Sequence, residues 1–246
     1  MVDPAPVSKS AARKAGSALR RIARGEAPED GREAVLATID AYRRSFAKPL
    51  ETVNDELVAL LASHGIDAEV SQRLKRMPTI VEKITQREAE LDLSRMQDIG
   101  GCRIVLKTDH VAALYDLSDI IHARWRESVR RCSDYVAEPR SSGYRAIHIV
   151  IEKDGRLIEV QLRTGRMHEW AELVEGLSAS LGENYKQDGQ SLVQDYARLL
   201  SQVHVDLDGG TSLTSEDVVR FISLAHEVRD MLSQRRPDQS SRRSHP

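Results

Sequence analysis

A chain of 246 residues with 36 Lys and Arg against 38 Asp and Glu, net charge −2, has room for one sizeable domain with helical additions. Its balance excludes a global field of the kind that marks a nucleic-acid coat. No apolar run approaches a membrane span, and the N-terminus lacks the apolar stretch of a signal peptide. Two cysteines, Cys102 and Cys132, form neither a CxxC pair nor a disulfide framework, so a reducing cytoplasm is expected.

The charge is uneven, with Lys9, Arg13, Lys14, Arg20, Arg21 and Arg24 at one end and Arg235, Arg236, Arg242 and Arg243 at the other. Such clusters are solvated tails more often than nucleic-acid contacts. Met1 to Ser8 reads as a loose lead. Lys9 to Arg24 reads as a basic helix ended by Gly25 and Pro28. Arg32 to Phe46 and Leu50 to Ser63 carry apolar residues at helical spacing (Val35, Ile39, Tyr42, Phe46; Val53, Leu57, Leu60, Leu61), with Pro49 between them. Gly65 suits a C-cap, and His64 a last-turn residue facing the helix dipole.

From Val70 the character changes. A short strand over Val70 to Met77 puts Arg73 and Lys75 on one face, and Pro78 opens a helix expected to run to Glu90, with Ile80, Val81 and Ile84 inward and Lys83 in its second turn. Each cation alone reads as ordinary surface; together with a helix N-terminus they make a receptor for polyphosphate. Met96 to Leu106 reads as a turn into a buried strand with Cys102, Ile104, Val105 and Leu106 in the core. Asp98 at its entrance is either a turn residue or a carboxylate facing Glu159 at a spacing for Mg²⁺. Arg103 alternates toward the same cleft. Val111 to His122 reads as a helix with Leu114, Leu117, Ile120 and Ile121 inward, and Trp125 to Ser133 as a basic lead into a loop.

Two β-rich runs, Ala146 to Glu152 and Arg156 to Arg163, flank Asp154-Gly155, a strong hairpin signal. Period-2 alternation puts Ile158, Val160 and Leu162 in the core, and Leu157, Glu159, Gln161 and Arg163 on the other face. The loop Pro139 to Tyr144 delivers an aromatic and a cation to that neighbourhood, with His148 on the next strand. Arg166 to Leu181 follows as a helix packed through Trp170, Leu173, Val174 and Leu177. Tyr185 to Gly189 closes the core. Two further helices are expected over Leu192 to Val205 and Ser215 to Gln234, joined by Asp208-Gly209-Gly210, the second opened by Thr214 and Asp217 as a near capping box.

The fold expected is α+β: a mixed β-sheet with helices packed on one face and extra helices at both termini. Residues 1–66 form an N-terminal helical region, 67–190 the core, and 191–246 a C-terminal helical region with a basic tail. The polar cleft holds Arg73, Lys75, Lys83, Asp98, Arg103, Arg140, Tyr144, His148, Glu159, Gln161 and Arg163, a set suited to a triphosphate and a metal. With no GxxxxGK[ST] and no GxGxxG, it is neither a P-loop nor a dinucleotide fold.

At these residues the sequence resembles the RelA/SpoT-type alarmone synthetases in their small form. The resemblance rests on Arg73, Lys75 and Lys83, on DIGGCRIV from Asp98, on DYVAEPRSSGYRAIH from Asp134 to His148, and on IEVQLRT with MHEWAE to Glu172. It implies a nucleotidyltransferase-like core that moves pyrophosphate from ATP to a ribose 3′-hydroxyl and releases AMP. By the same resemblance, Arg73, Lys75, Lys83 and Arg103 lie on the ATP side. Asp98 and Glu159 bind Mg²⁺, with Glu159 activating the hydroxyl. Tyr144 stacks the acceptor base, and His148, Arg140, Gln161 and Arg163 complete the acceptor side. No His-Asp dipeptide occurs, so synthesis without hydrolysis is expected.

The acceptor this pattern favours is the 3′ end of tRNA. Guanine-nucleotide synthetases usually carry lysine before the DY pair and asparagine before the GY pair, where this chain has Ser133 and Ser142. The pattern RLKRMPTIVEK with MQDIGGCR looks more like the toxic small alarmone synthetases, toxin halves of toxin–antitoxin pairs. Those imply the 3′-CCA end of tRNA as acceptor, a cognate antitoxin as partner, and Arg124, Arg126, Arg130 and Arg131 as tRNA backbone contacts. The alternatives are alarmone synthesis from GDP, GTP or adenosine nucleotides, and an idle regulatory binding protein.

Overall fold

The structure, a computed structural model, describes residues 7–87, 90–182, 185, 191–208 and 214–234. The readings on the Pro-containing lead before Val7, on Lys186 to Gly189, on Gly209-Gly210 and on the C-terminal arginines lie outside them. The elements run α1 (Lys9–Ala23), α2 (Arg32–Arg44), α3 (Ala47–Ser63), β1 (Ala68–Leu74), α4 (Met77–Glu82), β2 (Gly100–Leu106), α5 (Val111–Arg124), β3 (Val129–Asp134), β4 (Ile147–Lys153), β5 (Arg156–Arg163), α6 (Gly165–Leu181), α7 (Leu192–Asp208) and α8 (Ser215–Gln234). Among the described residues no helix is long and apolar enough to cross a membrane. The described residues group into two compact units. The first takes the described residues within Met1–Lys107, Asp116–Ser133 and His148–Leu162, the second those within Thr108–Tyr115, Asp134–Ile147 and Arg163–Pro246.

The first unit holds a five-stranded mixed sheet in the order β1-β2-β5-β4-β3. β1 runs antiparallel to β2 from Ala68 opposite Leu106 to Leu74 opposite Gly100. β4 and β5 form the hairpin expected at Asp154-Gly155. Both turn residues have positive φ, 49° and 71°, as a two-residue type I′ turn demands. Alternation then sorts the strands: Cys102, Ile104, Leu106, Ile147, Ile149, Ile151, Ile158, Val160 and Leu162 are all buried. Val105, expected in the core, is only half-buried because it has the opposite parity to Ile104. The N-terminal helices back this unit. α1 is capped by Ser8 Oγ, which accepts from the Ala11 N–H at 3.1 Å, and packs Leu19 and Ile22 inward. Gly16 lets Leu93 approach: a Cβ there would sit 3.0 Å from the Leu93 Cβ.

Four features differ from the sequence reading. α3 begins at Ala47, so Pro49 does not separate two helices; it sits buried inside the first turn, where its missing N–H costs nothing. The helix opened by Pro78 changes at Lys83 into a π-helical turn, Lys83–Arg87. Single π turns recur where a side chain must be re-aimed. The basic run read as a loop lead is an exposed edge strand, β3; its charges match what edge strands use to discourage further pairing. Leu173 is 40% exposed rather than packed.

Arg156 shares the core parity of β5, a position where sequence alone expects no charge. Its guanidinium lies 4.9 Å from the Tyr42 ring centre and 5.6 Å from that of Phe46. It also donates to Ser45 Oγ and the Val7 carbonyl, each at 2.9 Å. Arg156→Ala is expected to lower stability by about 2–4 kcal/mol through lost cation–π contacts and charge-assisted hydrogen bonds. Urea unfolding monitored by circular dichroism measures it.

The second unit packs α6, α7 and α8 with the 134–147 loop around Tyr144, Trp170, Val174, Leu177, Tyr185, Val193, Ala197 and Val228. Thr164 caps α6, accepting from the Met167 N–H at 3.3 Å, and Gly182 ends it at φ 76°. Thr214 and Asp217 exchange hydrogen bonds at the start of α8, as the capping pattern requires.

Candidate active site

β1, α4 and the entrance to β2 assemble the first cluster. In the β1–β2 register Arg73 lies opposite Gly101, and the Lys75 N–H donates to the Ile99 carbonyl at 2.8 Å, continuing the ladder by one more pair. Arg73 and Lys75 therefore share a face, as read from the sequence, although Lys75 lies just past the strand. Arg103, opposite Ser71, has the same parity. Lys75 Nζ lies 2.9 Å from Asp98 Oδ2, and Lys83 Nζ lies 3.2 and 3.3 Å from the two Asp98 oxygens. Burial pushes the Asp98 carboxyl up, but the two ammoniums outweigh it and leave it below the usual carboxylate range. Arg43, on α2, donates from Nε to the Lys75 carbonyl at 2.6 Å and so fixes the backbone that presents the lysine.

β4 and β5 supply the second acid. Glu159 is half-buried, with His148 Nδ1 2.9 Å from Oε1 and Gln161 Nε2 2.7 Å from Oε2. An ionised carboxylate only accepts, so both neighbours donate. Burial raises the Glu159 carboxyl; the bonds from His148 and Gln161 lower it further than burial and the nearby Asp98 charge raise it. β2 runs beside β5, and a Cβ on Gly101 would lie 3.3 Å from the Glu159 carbonyl, so the entrance to β2 that carries Asp98 adjoins the strand that carries Glu159. Among the described residues no group of three or more His, Cys, Asp and Glu converges as a metal cage. Asp98 and Glu159 are the carboxylates of these two clusters, hard oxygen groups that could hold a divalent cation.

In the second unit Arg140, Tyr144 and Arg163 come together. Tyr144 is 8% exposed, and its hydroxyl accepts from Arg163 Nη2 at 2.9 Å. The Arg163 guanidinium lies 5.2 Å from its ring centre, that of Arg140 5.8 Å, and Trp170 packs at 6.1 Å. Arg140 stacks more closely on Tyr135, at 4.5 Å, and donates to its hydroxyl at 3.0 Å. The ring expected as an open stacking platform is therefore covered by chain groups, and a base reaching it has to displace some of them. Gly143 turns this loop at φ 88°, where a Cβ would meet Arg198 Cα and Ser201 Cβ at 3.1 Å, so only glycine fits against α7.

Of the residues read from the sequence, the structure thus joins Lys75, Lys83 and Asp98, gathers His148 and Gln161 on Glu159, and groups Arg140, Tyr144 and Arg163 separately. Arg73 and Arg103 share the face of the first group. Two supporting residues escaped the sequence reading. Arg43 looks like any last-turn cation of an amphipathic helix, and nothing local marks it. Tyr135 had a signal, its place inside the quoted DYVAEPR run. The basic cluster is partly neutralised: Arg124 pairs with Glu56 at 3.3 Å and Arg130 with Glu152 at 2.8 Å.

Comparison with known proteins finds relatives of the core region. Residues 72–190 match a family model described as a region found in RelA / SpoT proteins. A GTP pyrophosphokinase of Photobacterium angustum is 33% identical over 120 residues, 48% of this chain and 16% of its own. A guanosine-3′,5′-bis(diphosphate) 3′-pyrophosphohydrolase of Aquifex aeolicus is 37% identical over 135 residues, 54% of this chain and 18% of its own. The chain spans under a fifth of the length of these relatives. Small alarmone synthetase 1 of Bacillus subtilis, solved bound to its product pppGpp, superposes with a TM-score of 0.57 at 24% identity, covering 69% of this chain and 93% of that one. At that identity the match speaks for the fold.

Proposed function

With a RelA/SpoT region across residues 72–190 as the premise, we propose that the chain is an ATP-dependent pyrophosphokinase that places a diphosphate on a ribose 3′-hydroxyl. The observation that carries this is Asp98 held between Lys75 and Lys83 at the entrance to β2, the strand next to that of Glu159. A site with two carboxylates and several convergent cations suits a transfer whose demands are positioning and charge neutralisation.

In this reading Lys75 and Lys83 turn from Asp98 to the incoming phosphates, with Arg73 and Arg103 on the same face. Asp98 and Glu159 would hold Mg²⁺, which neutralises charge on the phosphate oxygens when bound. Glu159 takes the proton of the acceptor 3′-hydroxyl on a carboxylate oxygen. The 3′-oxygen bonds to the β-phosphorus of ATP, the bond from that phosphorus to the α–β bridging oxygen breaks, and AMP departs with the bridging oxygen. Arg140, Tyr144 and Arg163 would belong to the acceptor side, Tyr144 after its covering groups move.

The acceptor favoured here is GDP or GTP, in line with the names of the curated relatives. A second reading, the 3′ end of tRNA with the chain acting as a toxin, draws support from Ser142. It stands where guanine-nucleotide synthetases usually carry asparagine, and it is 1% exposed, with no hydrogen-bond partner for its hydroxyl among the described residues. The ion-paired state of Arg124 and Arg130 weakens that reading. The test is incubation with γ-labelled ATP, Mg²⁺, GDP, GTP and deacylated tRNA together. Label on the guanosine nucleotides is the expected result, label on tRNA alone supports the second reading, and no transfer overturns both. A catalytically idle regulator would show no AMP release.

A further inference from the structure

We infer that His148 and Gln161 are positioning residues that aim Glu159, rather than contacts to the acceptor's phosphates. The inference rests on Glu159 being the proton acceptor proposed above.

The geometry comes from the hairpin. A two-residue turn at Asp154-Gly155 sets Lys153 opposite Arg156, and the same count puts His148 opposite Gln161. Glu159 lies two residues before Gln161 on β5, on the same face, and diagonal to His148 across the strands, within reach of long side chains. The result is one donor on each carboxylate oxygen: His148 Nδ1 on Oε1 at 2.9 Å and Gln161 Nε2 on Oε2 at 2.7 Å. The side chains of His148 and Glu159 are only 13% and 16% exposed.

A carboxylate gripped at both oxygens cannot rotate about its last side-chain bond, and only its remaining lone pairs are available to a hydroxyl or a metal. A base must be both charged and aimed to take a proton in the transition state. These bonds matter more to the reacting geometry than to ground-state binding, so their loss belongs in kcat rather than in KM.

The test uses the full chain with ATP, Mg²⁺ and GDP, or deacylated tRNA if label transfer goes there. His148→Leu removes the donor with little change in bulk, whereas His148→Asn offers an amide N–H near the place of Nδ1. His148→Leu is expected to lower kcat by roughly 10- to 100-fold with the KM for acceptor and ATP within about twofold, and His148→Asn to recover most of the loss. Gln161→Leu should behave like His148→Leu. In a Glu159→Gln background, His148→Leu should add almost nothing, because the group it aims is already disabled. Thermal melts establish that each variant folds. The inference is overturned if His148→Leu raises the acceptor KM tenfold with kcat intact, if His148→Asn is no better than His148→Leu, or if the effects of His148→Leu and Glu159→Gln multiply. Wild-type turnover retained by Glu159→Gln would instead overturn the role of Glu159, leaving the hydrogen bonds of His148 and Gln161 as packing.

Discussion

Glu159→Gln is expected to lower pyrophosphate transfer on the order of 10³-fold while leaving the fold and the KM for ATP nearly unchanged. The amide keeps the size of the side chain and part of its hydrogen bonding, so the strand and its core face, Ile158 and Val160, are undisturbed. What disappears is the negative charge that two donors hold in a half-buried position. A neutral amide takes no proton from a hydroxyl and binds a divalent cation weakly. Single-turnover rates from γ-labelled ATP measure the effect; a loss of less than tenfold would remove Glu159 from the chemistry.

Asp98→Asn is expected to cost a similar factor in rate and, unlike Glu159→Gln, about 1–3 kcal/mol of stability. The carboxylate sits between two ammoniums, and its removal leaves Lys75 and Lys83 facing each other without the acid that holds them. The pH dependence has a definite sign. The folded-state pKa of Asp98 is below its unfolded value, since the lysines outweigh burial. Its contribution is therefore present at neutral pH and down to the unfolded value, about 4, and is lost as pH falls further through the depressed folded value. Urea midpoints of the wild type and Asp98→Asn should differ most at pH 7 and converge below about pH 4. A gap independent of pH would show that the ion pairs contribute nothing to the difference.

The strands that position the site were legible because their alternation is strong. Ile158, Val160 and Leu162 against Glu159 and Gln161 fixed the faces of β5, and Asp154-Gly155 fixed its turn. The parity of Arg73 and Lys75 followed the same rule. Less legible was everything decided by neighbours distant in sequence. Arg156 has core parity yet is charged, and only the rings of Tyr42 and Phe46, more than a hundred residues earlier, explain it. β3 reads as a basic loop because an exposed edge strand has no apolar period to show. The π turn at Lys83 leaves the helical spacing of Ile80 and Ile84 intact, so periodicity cannot reveal it. In the candidate site, the residue types were readable but their partners were not. His148 and Gln161 were readable as polar residues of the cleft; that both bond Glu159 was not. Tyr144 looks like an open aromatic until Arg140, Arg163 and Trp170 close around it.

Product analysis of one reaction shows whether the β- and γ-phosphates move together. ATP labelled on both its β- and γ-phosphates is turned over with Mg²⁺ and the acceptor, and the nucleotides are separated by chromatography. AMP and a 3′-diphosphorylated acceptor are expected in equal amounts, with both labels on the acceptor. ADP as the nucleotide product, or an acceptor carrying the γ label alone, would contradict it.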